Sequence, residues 1–397
     1  MGKLPIVDDF TDPDEVRRCS FLLLACVLIL LSIGAVMVYS AAGVRNGVLG
    51  SPEDSLDPLI GHLAKIGLGL CLLILSARSD YRSWMLFSPW MYIASVVLLV
   101  LVLIPGIGTS INGSRRWLHS SFLPFAVQPS EFAKLSLIVL LAAEIQRIKA
   151  SGQGFFRSFM PCALLILLPA ALILAETDFG TFLLLAAAGL TMLVLAGAPA
   201  RYVLFLAALS IPALVFGVIF KLPYILSRFQ RFGEVDPSSQ VGMSLSALSV
   251  GGVGGVGLGG GRHKLFYLPE SENDFILSVI GEELGFLGTC VIVFMYLLIV
   301  GAGIRILLGV RNRFAFFVCA GVLFTIGTQA LINIAVATNS TPVKGMPLPF
   351  VSSGGSSLCM LCLGVGLILS IARHPDRTAL PDESTPFLRL GRRGKTS

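Results

Sequence analysis

The stretch SFLLLACVLILLSIGAVMVYSAA, residues 20–42, decides the class of fold. It continues for 23 residues without a charged side chain, and about 20 apolar residues in a helix span the hydrocarbon core of a bilayer. A cleavable signal sequence has a shorter apolar segment, of about 7–15 residues. We therefore expect residues 20–42 to form a helix that stays in the membrane.

Nine further apolar runs follow, so the sequence predicts an all-α, polytopic membrane protein with about ten transmembrane helices. The runs lie near residues 59–77, 84–105, 128–146, 161–175, 180–198, 202–222, 275–304, 314–337 and 355–373. The 397 residues are 55% hydrophobic and only 13% charged, whereas a soluble domain has about 25% charged residues. A soluble enzyme is excluded, and the unbroken runs exclude an outer-membrane β-barrel, whose strands alternate apolar and polar residues.

The distribution of basic residues predicts the orientation of these helices. If the N-terminus is cytoplasmic, 18 of the 29 Lys and Arg residues fall in inner segments, the bias expected of cytoplasmic loops. The net charge of +6 therefore reflects topology and indicates no nucleic-acid partner. We expect a cytoplasmic tail at 1–19, a ten-helix domain at 20–373 with a long outer loop at 223–274 between helices seven and eight, and a disordered cytoplasmic tail at 374–397.

Charged residues mark the beginnings of two predicted helices near the outer face. Glu131 and Lys134 share a helix face, and an ammonium inside a bilayer requires a partner or a hydrated cavity. A structural ion pair and a functional role explain this pair equally well. Asp178 follows a short turn, where capping of the next helix is as good an explanation as a functional role.

The outer segment 223–283 is the richest in unusual residues. Gly251 to Gly261 contains eight glycines in eleven residues but lacks the Gly-Lys-Ser/Thr of a phosphate-binding loop, so we expect irregular backbone that packs closely or lines a cavity. Five carboxylates then fall within fourteen residues, namely Glu270, Glu272, Asp274, Glu282 and Glu283. The last two fit the first turn of a helix, whose dipole favours carboxylates. Asp274 precedes Phe275 and Ile276, and a carboxylate at such an apolar boundary suits a general base or a proton relay.

Segment 341–357 interrupts apolar sequence with three prolines, three glycines and four serines, as in a broken or re-entrant helix. Its one cation is Lys344. A lysine on the outer face, opposite a carboxylate cluster, is suited to bind a phosphate or pyrophosphate.

Seven motifs in these segments resemble, in order, those of the SEDS family of shape, elongation, division and sporulation proteins. They are Asn-Gly-x-x-Arg-Trp (112–117), Gln-Pro-Ser-Glu-Phe-x-Lys (128–134), Asp-x-Gly-Thr (178–181), Leu-Pro-Glu-x-x-x-Asp-Phe-Ile (268–276), Gly-Glu-Glu-Leu-Gly (281–285), Gln-x-x-Ile-Asn (329–333) and Leu-Pro-Phe-Val-Ser-x-Gly-Gly-Ser-Ser (348–357). Residues 264–270 and Gly281 resemble the division branch, FtsW, rather than the elongation branch, RodA. The resemblance covers about residues 20–373.

The resemblance implies an inverting peptidoglycan glycosyltransferase that polymerises lipid II at the division septum. It places the protein in the cytoplasmic (inner) membrane, where the bias of basic residues puts both termini in the cytoplasm and the unusual residues, with the active site, on the outer side. Undecaprenyl pyrophosphate would be the leaving group, and the partners would be a class B penicillin-binding transpeptidase, other division proteins and membrane lipids. No cofactor is certain, and a role for a divalent cation, Mg²⁺ or Mn²⁺, stays open.

By the same resemblance, Asp274 would be the catalytic general base. The candidate substrate-binding residues are Lys344, Arg116, Glu131, Lys134, Asp178, Arg228, Arg231, Glu270, Ser356 and Ser357. Lys344 and the three arginines are the candidates to stabilise the pyrophosphate, because a leaving group of this charge needs cations.

The chain also departs from the family pattern at several positions. Glu272 and Asn273 stand where the family has His and Thr, and Ser353 stands where it has Tyr; Thr177 replaces a Pro and Asn339 a Gly. The added negative charge of Glu272 should raise the pKa of Asp274 or recruit a cation. Two other functions remain as alternatives: a lipid II flippase, which broken helices also suit, and a non-catalytic scaffold that recruits a transpeptidase.

Overall fold

The protein is mostly helical in the computed structural model, which describes residues 13–43, 56–111, 114–119, 125–151, 155–208, 239–266, 272–341 and 345–373. The helices are α1 (Pro13–Val38, followed by a π-helical turn at Tyr39–Gly43), α2 (Asp57–Arg78), α3 (Tyr81–Leu103), α4 (Pro129–Ser151), α5 (Phe155–Ala175), α6 (Phe179–Leu195), α7 (Gln240–Gly251), α8 (His263–Phe266), α9 (Ile276–Gly309), α10 (Arg313–Ala337) and α11 (Gly355–Arg373). Two strands, β1 (Gly108–Ile111) and β2 (Ser114–Leu118), form an antiparallel pair.

The helices confirm the prediction of a polytopic helical membrane protein. Within the described ranges, six helices are long and apolar enough to cross a membrane, namely α1, α2, α3, α9, α10 and α11, and two shorter apolar helices lie within α5 and α6. The predicted span at 128–146 coincides with α4. The predicted span at 202–222 lies outside the described residues beyond residue 208.

Two features differ from the elements that the sequence predicted. The β1–β2 hairpin was not expected, although Asn112-Gly113 between the strands is a dipeptide typical of two-residue hairpin turns. The predicted outer loop at 223–274 contains two helices in its described part, α7 and α8. A helix as short as α8 carries too little hydrophobic periodicity to be recognised in a sequence.

Polar side chains fix where several helices begin. Asp80 accepts a hydrogen bond from Arg82 N, Ser239 from Gly242 N and Asn312 from Ala315 N. Each of these oxygens satisfies a backbone N–H that the first helical turn leaves without a partner. The beginnings of these three helices are therefore stabilised by residues next to them in the sequence.

Helix α11 is the centre of the bundle, because nearly all of its side chains are buried. It packs closely on α2 through small residues: a Cβ at Gly366 would lie 2.3 Å from Leu73 O. Ser76 Oγ of α2 donates to Leu363 O at 3.0 Å. Small residues and interhelical hydrogen bonds of this kind drive helix association in a bilayer, where lipid is as apolar as the side chains.

The glycine-rich run packs against a break in α9, which confirms the predicted close packing. A Cβ at Gly251 would lie 1.9 Å from Gly281 O. Val256 N and Gly257 N donate to Glu282 O and Glu283 O, both at 3.0 Å. Helix α9 is interrupted at Gly285, whose φ is 70°. The two irregular backbones therefore supply each other's hydrogen bonds, as buried non-helical backbone requires.

We predict that Gly255→Ala destabilises the protein, because Gly255 has φ +79° and its Cβ would lie 2.1 Å from Glu283 O. The expected loss is at least about 2 kcal/mol, since both backbone strain and a backbone clash contribute. Thermal unfolding in detergent measures it. The matched control is Gly254→Ala, because nothing lies within 4 Å of a Cβ there, and equal unfolding temperatures for the two variants would contradict the prediction.

Candidate active site

Asp274 lies half-buried in the turn that leads into α9, directly before the buried Phe275 and Ile276. Its backbone is held by Asn333 of α10, whose Nδ2 donates to Asp274 O at 2.9 Å and to Met346 O at 2.8 Å. One buried amide therefore joins the turn that carries Asp274 to the segment before α11.

That segment, residues 345–354, is an irregular strap that confirms the predicted interruption of the helix. Gln329 Nε2 of α10 donates to Pro347 O at 3.0 Å, and the hydroxyl of Tyr296 in α9 donates to Pro349 O at 2.5 Å. A Cβ at Gly345 would lie 3.1 Å from Asp274 Oδ2. The strap thus places the backbone of a glycine, Gly345, next to the Asp274 carboxylate.

Glu131 and Lys134 form the buried ion pair that the sequence allowed. Lys134 Nζ lies 2.8 Å from Glu131 Oε1 and 3.3 Å from Gln329 Oε1. Gln329 Nε2 in turn donates to Ser357 Oγ at 3.1 Å. The pair borders a cavity of ≈ 20 Å³ whose other walls are mainly apolar, a volume that accommodates about one water molecule. The pair therefore connects α4, α10 and α11 beside the strap.

Asp178 caps α6, as one of the two interpretations predicted. Its Oδ1 accepts from Thr181 N and its Oδ2 from Thr181 Oγ1, both at 3.0 Å. Arg116 of β2 lies 3.5 Å from Asp178 and donates to Thr177 O at 3.0 Å and Ser114 Oγ at 3.2 Å. Arg116 thus clamps the hairpin onto the α5–α6 turn, a structural task that the sequence did not indicate.

Gln128 connects this clamp to the strap side of the site. Its side-chain Nε2 lies 3.4 Å from Asp178 Oδ2, and its backbone N donates to Ser356 Oγ at 3.0 Å. Ser356 Oγ also donates to Ala126 O at 3.2 Å. The sequence suggested no role for Gln128, Gln329 and Asn333. The signal that could have identified them is the presence of a polar amide side chain within or next to an apolar run.

Glu282 and Glu283 hold the glycine-rich segment in place. Glu282 Oε1 accepts from Arg262 N at 2.8 Å and lies 2.9 Å from His263 Nδ1. Glu283 contacts Lys264, and both side chains are fully buried. Ser40 Oγ donates to Glu283 Oε1 at 2.7 Å, tying the end of α1 to the same carboxylate. The expectation that these glutamates occupy the first turn of a helix was wrong, since α9 begins at Ile276.

Glu176 is a buried carboxyl group that no sequence pattern marked. Its side chain is 1% exposed, and neither carboxylate oxygen has a hydrogen-bond partner in the described part of the chain. Burial raises the pKa of Glu176 to about 9; the neighbouring Asp178 adds to the rise and Arg116 opposes it. The group is therefore protonated and neutral near pH 7, next to the Arg116–Asp178 clamp.

The structure brings most of the candidate residues to one end of the bundle. Asp274, Glu131, Lys134, Asp178, Arg116, Ser356 and Ser357 lie there in a connected hydrogen-bonding network or beside it. The candidates Lys344, Arg228, Arg231 and Glu270 lie outside the described residues. Among the residues that the structure describes, no three His, Cys, Asp or Glu side chains are grouped to hold a metal ion.

Comparison with known proteins gives consistent matches along nearly the whole chain. Residues 20–377 match the family model for FtsW, RodA and SpoVE, described as cell cycle protein. The chain is 35% identical over 369 residues to stage V sporulation protein E of Bacillus subtilis, covering 92% of this chain and 98% of that protein. It is 37% identical over 366 residues to the Probable peptidoglycan glycosyltransferase FtsW of Trichlorobacter lovleyi, covering 91% of this chain and 94% of that protein.

Solved structures show the same architecture. A chain from a peptidoglycan synthase complex, described for the structural coordination of polymerization and crosslinking, superposes with a TM-score of 0.69 at 28% identity, covering 89% of this chain and 98% of that one. The rod shape determining protein RodA of Thermus thermophilus superposes with a TM-score of 0.65 at 27% identity, covering 89% of this chain and 97% of that one.

We predict that Lys264→Met lowers the stability of the protein by about 3–5 kcal/mol, because it leaves the buried Glu283 charge without its partner. Thermal unfolding in detergent measures the change. The matched control is Arg147→Met, which breaks an ion pair with Glu144 whose arginine is largely exposed and should cost at most about 1 kcal/mol. Equal losses in the two variants would show that the buried pair has no special role.

We also predict a pH dependence of stability that originates at Glu176. Between about pH 4.5 and pH 9 the unfolded chain releases the Glu176 proton and the folded chain keeps it, so stability falls as the pH rises through this range. In Glu176→Gln the unfolding temperature should fall less over the same range. Glu15→Gln, at a partly exposed ion pair, is the control and should behave as the unsubstituted protein. Identical profiles for all three proteins would refute the assignment.

Proposed function

The chain belongs to the FtsW, RodA and SpoVE family of cell cycle proteins, and we propose that it polymerises lipid II into glycan strands with Asp274 as general base. It is a multi-pass membrane protein of the cytoplasmic membrane and a peptidoglycan glycosyltransferase. The observation that supports the role of Asp274 is its position: a half-buried carboxylate in a turn whose backbone is held by Asn333, facing backbone at Gly345.

In the proposed reaction, the 4-hydroxyl of an N-acetylglucosamine unit attacks the anomeric carbon of the lipid-linked donor sugar. A new glycosidic bond forms, the bond from that carbon to the pyrophosphate oxygen breaks, and undecaprenyl pyrophosphate leaves with the electron pair. The hydroxyl proton passes to the Asp274 carboxylate. A positioned carboxylate contributes about 10²–10⁴-fold to such a step.

Cations stabilise the departing pyrophosphate in this proposal. Lys344 directly precedes Gly345 in the chain, and Gly345 borders the Asp274 carboxylate, which supports a cation next to the reacting groups. Arg228 and Arg231 are proposed for the same task from the sequence. Arg116 is proposed to act through its clamp on Asp178, since its guanidinium is already engaged there.

The remaining candidates are proposed to shape the substrate site. Glu131 and Lys134 border the small cavity between α4, α10 and α11. Ser356 and Ser357 hold the adjoining backbone and amide groups, and Asp178 fixes the α5–α6 turn. Glu270 is proposed from its motif alone. Together these residues would form the polar end of a site whose apolar side receives the polyprenyl chain.

The orientation is proposed from the positive-inside bias. The N-termini of α4, α6, α9 and α11 and the C-terminal end of α10 all adjoin the candidate site. The opposite end holds the exposed pair of Glu15 and Arg305. With both termini cytoplasmic, the site faces outward, where peptidoglycan is built.

We propose a class B penicillin-binding transpeptidase as the partner, together with other division proteins and membrane lipids. The similarity to a chain of a peptidoglycan synthase complex supports a joint assembly for polymerization and crosslinking. The matched FtsW proteins support a septal role in division, whereas the matched sporulation protein supports a related role in sporulation. Septal localisation in dividing cells would favour the first.

We predict that Asp274→Asn lowers polymerisation of labelled lipid II at least about 100-fold, because the general base is lost. The assay uses the purified full chain with its co-expressed transpeptidase and detects glycan strands by gel electrophoresis. The matched control is Asp80→Asn, an exposed helix cap far along the bundle, which should retain activity.

Two further measurements test the alternatives, one on the unsubstituted protein and one on the Asp274→Asn variant. Translocation of lipid II across vesicles without polymer formation by the unsubstituted protein would favour a flippase. Complementation of a depletion strain by Asp274→Asn would favour a non-catalytic scaffold. Either result would refute the catalytic assignment.

A further inference from the structure

Three of the positions at which this chain departs from the family pattern lie together in the structure. Ser353 N donates to Glu272 O at 3.1 Å, and Ser353 Oγ donates to Asn273 Oδ1 at 2.5 Å. The neighbouring Ser352 Oγ donates to Asn273 O at 2.5 Å. These residues join the strap to the turn immediately before Asp274, so the three departures form a single contact patch.

Lys65 of α2 brings a positive charge to this patch. Its Nζ donates to Ser353 O at 3.0 Å, and Ser353 N in turn donates to Glu272 O. The Lys65 ammonium therefore lies near enough to Glu272 for the two charges to act on each other. The other titratable groups that act on or beside it are Cys359 of α11 and the buried His62 of α2. An ionisable side chain at membrane depth requires such a partner, because its charge is costly there.

The position of Glu272 explains why a counter-charge matters for the reaction. Glu272 lies two residues before Asp274, and a second carboxylate near a catalytic one disfavours the ionised form that accepts a proton. It would also repel a pyrophosphate. The family's His at this position carries no such negative charge, so this chain has to compensate for a charge that its relatives with the common pattern lack.

We propose that Lys65 is a positioning residue for glycosyl transfer, which neutralises Glu272 and holds the strap against the turn that carries Asp274. This role rests on the proposed function. The ammonium acts in two ways: its charge offsets that of Glu272, and its hydrogen bond to Ser353 O fixes the strap. Asp274 then stays ionised and directed at the acceptor hydroxyl.

The test is a double-mutant cycle on the full chain in complex with its transpeptidase, with steady-state polymerisation of fluorescent lipid II as the readout. The variants are Lys65→Met, Lys65→Arg, Glu272→Gln and the double variant Lys65→Met/Glu272→Gln. We expect Lys65→Met to lower kcat about tenfold with KM changed less than about twofold, since the defect lies in the reacting geometry and not in uniform binding. Lys65→Arg should keep at least about half of the activity.

The decisive comparison is between the effect of Lys65→Met on kcat in the unsubstituted protein and its effect in the Glu272→Gln variant. With Glu272→Gln already present, Lys65→Met should lower kcat less than about threefold, because the charge that Lys65 offsets is gone. Equal losses in the two backgrounds, no loss in either, or a change in KM at constant kcat would each overturn the proposal. Arg305→Met removes a cation from an exposed pair at the other end of α9 and should leave kcat unchanged.

A failure of the proposed function is distinguishable from a failure of this inference. If the unsubstituted complex forms no glycan strands, the polymerase assignment fails, and the positioning role fails with it. The interaction between Lys65 and Glu272 is then tested by the unfolding temperatures of the same four variants. If the effects of the two substitutions on the unfolding temperature are not additive, the interaction is supported; if they are strictly additive, it is excluded.

Discussion

The hydrogen bonds of two amide side chains on α10 hold the candidate site together. Asn333 donates to the backbone of both the Asp274 turn and the strap, and Gln329 joins the strap to Lys134 and Ser357. Irregular backbone at membrane depth has no water to satisfy it, so each free carbonyl costs several kcal/mol unless protein supplies a donor. The strap and the Asp274 turn can be non-helical because α10 provides these donors, together with Tyr296 of α9 and Lys65 of α2.

A second set of contacts supports the site from the other side. The break in α9 at Gly285 and the glycine-rich run exchange backbone hydrogen bonds. Glu282 and Glu283 bind the backbone and side chains of the segment that ends at α8. The carboxylates near Asp274 in sequence thus divide into separate tasks: Glu282 and Glu283 are structural, and Glu272 belongs to the patch that Lys65 joins through Ser353. A cluster of acidic residues in sequence need not be one site in space.

Features that depend on neighbouring residues could be predicted from the sequence, whereas contacts between distant segments could not. Long apolar runs predicted the helices because a bilayer allows little else. The Glu131–Lys134 pair and the Asp178 cap were each one of two interpretations that the spacing along one helix allowed, since their partners are three residues away. The Arg116 clamp and the Lys65–Ser353 contact could not be predicted, because each joins segments that are far apart in the chain. The burial of Glu176 could not be predicted either, because it depends on how the bundle packs around the side chain.

The sequence by itself determined that this protein is a bundle of membrane helices, approximately where the long apolar helices lie, and to which family its motifs belong. These properties depend on apolar length, on side chains within one helical turn and on the order of short motifs. The tertiary structure alone decided which polar groups meet: which carboxylates are structural, how the strap reaches Asp274, and that three departures from the family pattern share one patch with Lys65. The physical reason is that a buried charge or amide is stabilised only by the groups packed against it, and packing is a property of the folded bundle.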